Sequence, residues 1–289
     1  MGSSFRRPWR RAPLVIFVAL VTVAALVTAV DCGPARAEDS EIGARRAAER
    51  KIFTDAEIAD GFFKIAFGAE LGFGGRTDRI RKYLTPVRIF IDNRAKPDRG
   101  PALARVVADI QSRIANIDIA ITSRRADANF VVQLVRDRDL ARTVGKLYGA
   151  RGRQIVRSLE PQCLSGFRND ARYRIVRSDV ILVADRGDFI FHDCAYEELL
   201  QALGPIRDDS SVPWTMFNDD VQMGFFDVYD QYLLNILYHR DVQPGMTRAQ
   251  VSALLPQIMP EVRAWVANIN NLPARSPATG EELGGQRRR

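Results

Sequence analysis

The run Cys194-Ala-Tyr-Glu-Glu-Leu-Leu-Gln-Ala-Leu-Gly204 constrains this chain more than any other stretch. Helical spacing sets Glu197 and Gln201 one turn apart on the same side. Leu199, Ala202 and Leu203 take the other faces, so such a helix must lie in a core with its polar line turned toward something polar. It therefore needs a sheet to rest on, and the preceding chain has the pattern for one.

Thr54-Asp-Ala-Glu57 is a capping box opening a helix with Ile58, Phe62, Ile65 and Ala69 on one face, ended by Gly72, Gly74 and Gly75. Val87-Arg-Ile-Phe-Ile91 alternates as a half-buried strand. Residues 102–117 form an amphipathic helix, 118–122 a second strand and 128–135 a third, apolar enough to be central. This order predicts an α/β (α+β) fold, a mixed sheet with helices on one side. Residues 137–149 read as an inserted helix, 151–170 as irregular around Cys163, and 173–184 as extended, with Phe189-Ile-Phe feeding the central helix. A loop over 205–222 precedes a helix opened by Asp227. Thr247-Arg-Ala-Gln250 is a second capping box, starting a C-terminal helical extension over 247–270 that Pro256 and Pro260 should break. The tail, 271–289, is rich in Pro, Gly and charge and is expected to be disordered.

Residues 1–37 have the layout of a signal peptide: Arg6, Arg7, Arg10 and Arg11, an apolar run from Leu14 to Val30, and Ala35-Arg36-Ala37 for cleavage. The run is long for that role, and an uncleaved N-terminal anchor is the alternative. Both predict export, to the periplasm or beyond, with 38–53 as a linker. The segment holds five arginines and one aspartate, so +4 of the formal +7 lies there and +3 remains. That excess gives no support for a nucleic-acid partner, and membrane contact is expected only through an uncleaved segment. Past residue 37 the cysteines are Cys163 and Cys194. In an exported chain an even count argues for a disulfide, worth on the order of 3 kcal/mol; two separate buried thiols are the alternative.

Three pieces then line up: Glu197-Glu-Leu-Leu-Gln-Ala-Leu-Gly204, Met216-Phe-Asn, and Asp227-x-x-Asp230-x-x-Leu233-Leu-x-x-Leu237-Tyr238. Together they resemble the catalytic half of a metzincin of the matrixin type: a zinc helix ending in a Gly turn, a Met-turn, and a helix closing in a Leu-Tyr pair. The chain also resembles an uncharacterised family of exported bacterial proteins with Cys-x-x-Glu-Glu-x-x-Gln-x-Leu-Gly, Phe-Asn-Asp and Leu-Tyr-x-x-x-x-x-Pro-Gly-Met. The resemblance spans roughly 54–246 and implies a zincin-like (metzincin-like) domain there.

The departures set the functional expectation. Under that resemblance Glu197 and Gln201 stand where two His ligands would be, Glu198 where the general base would be, and Arg207 at the third ligand position. An Arg repels a cation at close range, and a neutral amide is a poor zinc ligand. Neither a metal nor a cofactor is expected. The reading is a non-catalytic pseudoenzyme that binds an extended peptide or envelope protein in the old cleft. The alternatives are a divergent hydrolase with Glu198 as base, holding a weakly bound metal through Glu197 and Asp208 or none, and a purely structural domain in which the glutamates join the sheet or Arg207. His192-x-Cys194 is weak as a metal motif, Gly72-Phe-Gly-Gly75 lacks the Lys of a phosphate loop, and Asp219-Asp220 lacks the spacing of a calcium loop.

Overall fold

In the computed structural model, which describes residues 40–67, 78–159, 162–205 and 207–273, one strand is apolar on both faces. Phe130–Val135 (β3) occupies the centre of a five-stranded sheet. Val87–Asn93 (β1) and Ile175–Val183 (β5) flank it in parallel, and Ile119–Ile121 (β2) pairs parallel beyond β1. Cys163–Asn169 (β4) closes the other edge, antiparallel to β5, giving the order β2-β1-β3-β5-β4. The fold class is mixed α/β, as the sequence implies, with β3 central.

The helices are Ser40–Ala48 (α1), Asp55–Ile65 (α2), Gly100–Arg113 (α3), Asp137–Leu159 (α4), Asp188–Gln201 (α5), Val228–Leu237 (α6) and Arg248–Ile269 (α7). They do not all lie on one side of the sheet. Phe130, Val132, Leu134, Val180 and Leu182 point into the main core, shared with α2, α3, α5, α6 and α7. Val135, Ile181 and Val183 point the other way, onto Leu140, Val144 and Ile155 of α4. Period-two alternation in β5 thus feeds two cores, and only a helix on each face can bury both.

Both capping boxes form, at Thr54–Glu57 and Thr247–Gln250. Four expectations differ. Residues 38–53, read as a linker, carry α1, whose Ile42 is buried; Arg45 donates to the Gln222 carbonyl at 2.6 Å and Arg46 stacks on Phe225. The inserted helix ends at Gly149 as read, where φ is +63° and the backbone is non-helical, but a second helical segment of α4 follows it to Leu159, in a stretch read as irregular. The stretch around Cys163, read as irregular, is strand β4, formed by pairing with β5. Pro256 and Pro260 do not break α7. They lie four apart on its exposed face, where water can take the carbonyls of Ser252 and Pro256 that lose an N–H partner. Ala69, Gly72, Gly74, Gly75, the leader 1–37 and residues 274–289 lie outside the described residues.

Helix α6 is buried at every position. Its C-terminal carbonyls at Leu237, and that of His239 beyond it, accept from Lys82 Nζ at 2.9 Å each, a cation against the negative helix end. Burial lowers the Lys82 pKa to about 8. Tyr238 donates to the Leu203 carbonyl at 2.7 Å, binding the end of α6 to the end of α5.

Candidate functional site

The site is one flank of α5. This helix starts at Asp188, earlier than the Cys194 start the pattern suggested, because Phe189-Ile-Phe, read as leading into it, is already part of it. Phe191, Ala195, Leu199 and Leu200 go into the core. Asp193, Glu197 and Gln201, each four residues on from the last, form a polar line along the other flank. Gly204 ends the turn at φ +143°, and a Cβ there would lie 2.4 Å from the Arg81 carbonyl oxygen.

Both ends of this polar line are fastened to neighbouring chain. Asp193 Oδ1 accepts the backbone N–H groups of Met223 (2.7 Å) and Gly224 (3.0 Å). Gln201 Nε2 donates to Asp208 Oδ1 at 2.7 Å, and its Oε1 accepts from Ser165 Oγ on β4 at 3.2 Å. The Cys163–Cys194 disulfide joins the same strand to the same helix. Edge strand, helix and the loop from Pro205 are thus held as one unit.

Glu197 lies between these ties. Carboxylate oxygens of Glu197, Asp208 and Asp219 come within 4.8 Å of one another. Burial, then the charges of Glu198, Asp208, Asp193 and Asp219, push the Glu197 carboxyl well above the usual range. Asp193 is also raised, mainly by burial, which outweighs its two backbone donors. A cavity of about 140 Å³ opens here, with Glu197, Asp193, Cys194, Asn218 and Asp219 on its wall. Three convergent carboxylates suit a hard cation or a cationic side chain better than zinc.

Glu198, the candidate base, is buried and does not line this cavity. Besides Glu197, its charge acts on Tyr148 of α4, whose hydroxyl pKa is raised, chiefly by burial and then by Asp179 and Glu198. Arg207 pairs with Asp209 at 3.4 Å. His192 belongs to α5, its Nδ1 2.8 Å from the Asp188 carbonyl, and buried His239 lies 3.3 Å from Glu261, so neither is near the carboxylates as a ligand. Asp220 stays exposed, its N–H donating to Asn218 Oδ1 at 3.0 Å.

Met216 is buried behind the loop, its N–H donating to Asp230 Oδ2 at 2.8 Å; Thr215 Oγ1 donates to Oδ1 at 2.5 Å. Phe217, Phe225 and Phe226 are fully buried, and Trp214 meets Phe53 edge-on at 6.1 Å. The aromatic cluster packs the loop and lines no part of the cavity.

Sequence reasoning brought Glu197, Gln201 and Asp208 to one place but missed the part of Asp193. The signal for it was the Asp193–Glu197–Gln201 spacing. Nothing local marks Asp219 as the third carboxylate, since the loop path alone brings it in.

Two comparisons bear on identity. Residues 55–257 match a family described as "Protein of unknown function (DUF2927)". A search of curated proteins finds no match.

Proposed function

For a chain that belongs to the DUF2927 family, we propose the role of an exported cell-envelope protein that uses a metzincin-like scaffold, without its zinc ligands, to bind an extended peptide or partner segment beside α5. The observation that carries this reading is the state of Gln201. Where the resemblance would require a second imidazole, an amide is engaged at both ends, by Asp208 and by Ser165. It works as a brace between helix, loop and edge strand.

Several features support the scaffold: a buried site helix closed by a Gly turn, a buried Met216 after it, and a helix ending in Leu237–Tyr238 that bonds back to Leu203. Support for the ligand class comes from β4. Among the described residues it pairs only with β5; it is tied to α5 by the Cys163–Cys194 disulfide and the Ser165–Gln201 hydrogen bond, and Gln162 just before it lines the carboxylate cavity. A peptide adding to such an edge gains main-chain hydrogen bonds, and a basic side chain would meet Glu197 and Asp219. The export reading draws on the arginine-led apolar leader and on a disulfide, which persists in oxidising compartments.

The hydrolase reading retains one favourable observation, the three convergent carboxylates. Against it, Glu198 is buried and does not line the cavity.

Selection of peptides from a displayed library on the exported protein tests the binding role. Binders should weaken at least about tenfold in Asp219→Lys, which reverses charge at the cavity rim, and stay unchanged in the distant Asp241→Lys. Failure to select any binder, or equal affinity in both variants, would refute it and leave the purely structural role. Peptide cleavage abolished by Glu198→Gln would instead support the hydrolase.

A further inference from the structure

A second concave site lies on the opposite face of the sheet. Helix α4 covers β5 and part of β3 but leaves β1 bare, and a groove of about 450 Å³ opens between them. Its position follows from topology. After β1 the chain passes through α3 on the main-core face to β2; after β3 it passes through α4 on the other face to β4 and β5. The connections diverge between β1 and β3, and the groove takes in the carboxyl ends of both strands, at Asp92 and at Leu134 and Val135. Ligands of open α/β sheets settle in the crevice at such a reversal.

The lining is unevenly charged. Asp92, only 14% exposed, is shared by Arg94 (2.8 Å) and Arg125 (3.4 Å). Asp139, 21% exposed, is shared by Arg136 (3.1 Å) and Arg142 (2.5 Å). Lys146, one turn beyond Arg142 on the same flank of α4, adds a fifth cation, so five cations face two carboxylates and +3 is uncompensated. The carboxylates lie low and hold the guanidiniums outward, 39–77% exposed. A guanidinium has five N–H donors, so each keeps donors for a ligand. Arg125 also stacks over Phe90 at 5.8 Å, which limits its swing.

We propose that this groove is a binding site for a small phosphorylated ligand carrying two or three negative charges. Forked guanidiniums braced from behind match phosphoryl oxygens in geometry, and the surplus of three charges matches a di- or triphosphate-like anion better than a lone carboxylate. The volume accepts a ligand of metabolite size. This site shares no residue with the α5 cavity, so it stands whether or not the peptide-binding role does.

Calorimetry with inorganic pyrophosphate on the exported protein tests the site, with vesicles of phosphatidylglycerol or of phosphatidylcholine as a second arm. The expected result is saturable binding, one per chain. It should weaken about tenfold in Arg142→Gln and in Lys146→Gln, each losing a charge-assisted contact, and stay unchanged in the distant Arg240→Gln. Binding to phosphatidylglycerol but not phosphatidylcholine vesicles that excess pyrophosphate displaces, and that Arg142→Gln abolishes, would assign the same site to a lipid headgroup. No saturable binding in either arm would overturn the proposal, as would equal loss in Arg240→Gln or undiminished binding in both groove variants. Unchanged melting temperatures exclude misfolding as the cause.

Discussion

Protonation of the carboxyls beneath the Met216 loop should govern how stability changes with pH. Asp227 and Asp230 are fully buried, and among the described residues neither makes a salt bridge. Asp227 Oδ1 accepts the Asp230 N–H at 3.0 Å, while Asp230 takes Thr215 and Met216 as donors. The charged groups acting on the pair include the carboxylates Glu49, from the end of α1, and Glu197. Burial pushes Asp230 up to about 6; burial and then Asp230 push Asp227 well above the ordinary range. An unfolded Asp titrates near 3.9. Between about pH 4 and pH 6 the native state therefore holds a proton that the unfolded chain has released, and stability falls as pH rises. A shift of roughly two pKa units at about 1.36 kcal/mol each gives a loss near 3 kcal/mol through Asp230, largely complete just above pH 6. Asp227 carries the decline to higher pH.

Asp230→Asn removes that titration, keeps the Met216 N–H as donor to its amide oxygen and reverses the Thr215 bond, the amide nitrogen donating to Thr215 Oγ1 as a protonated carboxyl does. Urea unfolding at several pH values from 4.5 to 8, followed by tryptophan fluorescence, makes the comparison. Starting near parity at pH 4.5, the variant should outlast the wild type by about 2–3 kcal/mol at pH 8. Glu49 and Asp193, also raised, steepen both curves, and because the charge at 230 also raises Asp227, the difference reads the buried Asp227–Asp230 pair. Wild-type stability that rises across this window, or a variant with the wild-type slope, would refute the reasoning.

Three further outcomes follow from the packing. Serine at both Cys163 and Cys194 should lower stability by about 3–4 kcal/mol, the chain-entropy value for residues 31 apart, read as a shift of the urea midpoint that reductant reproduces in the wild type. Gly204→Ala should destabilise by more than about 3 kcal/mol in thermal unfolding, since φ is +143° and the new Cβ would meet the Arg81 carbonyl at 2.4 Å. Gln201→Leu should remove about 1–3 kcal/mol by taking a donor from Asp208 and an acceptor from Ser165, and hydrogen exchange should quicken in β4.

How much of this was legible in the sequence depended on whether local chemistry or partners at a distance made the feature. Thr54–Glu57, Thr247–Gln250 and the apolar Phe130–Val135 carry their signals locally, and those elements form as read. Strand β4 has no β-branched residue and contains a glycine, so only its pairing with β5 and the disulfide make it a strand. The helical segment after Gly149 was missed because the break there, which is real, reads as a return to irregular chain. Pro256 and Pro260 signal a break only if the freed carbonyls are buried, and the sequence does not tell which face is wet. At the site, the helix and its polar line were legible from i, i+4 spacing, while the arrival of Asp219 and the burial of Glu198 off the cavity wall depend on tertiary packing.

Zinc content of the purified protein, prepared without chelators and measured by plasma mass spectrometry beside Glu197→Ala, tests the central claim of a scaffold without its metal ligands. The account predicts zinc far below one ion per chain and no difference between the two proteins. About one zinc per chain, lost in Glu197→Ala, would contradict it.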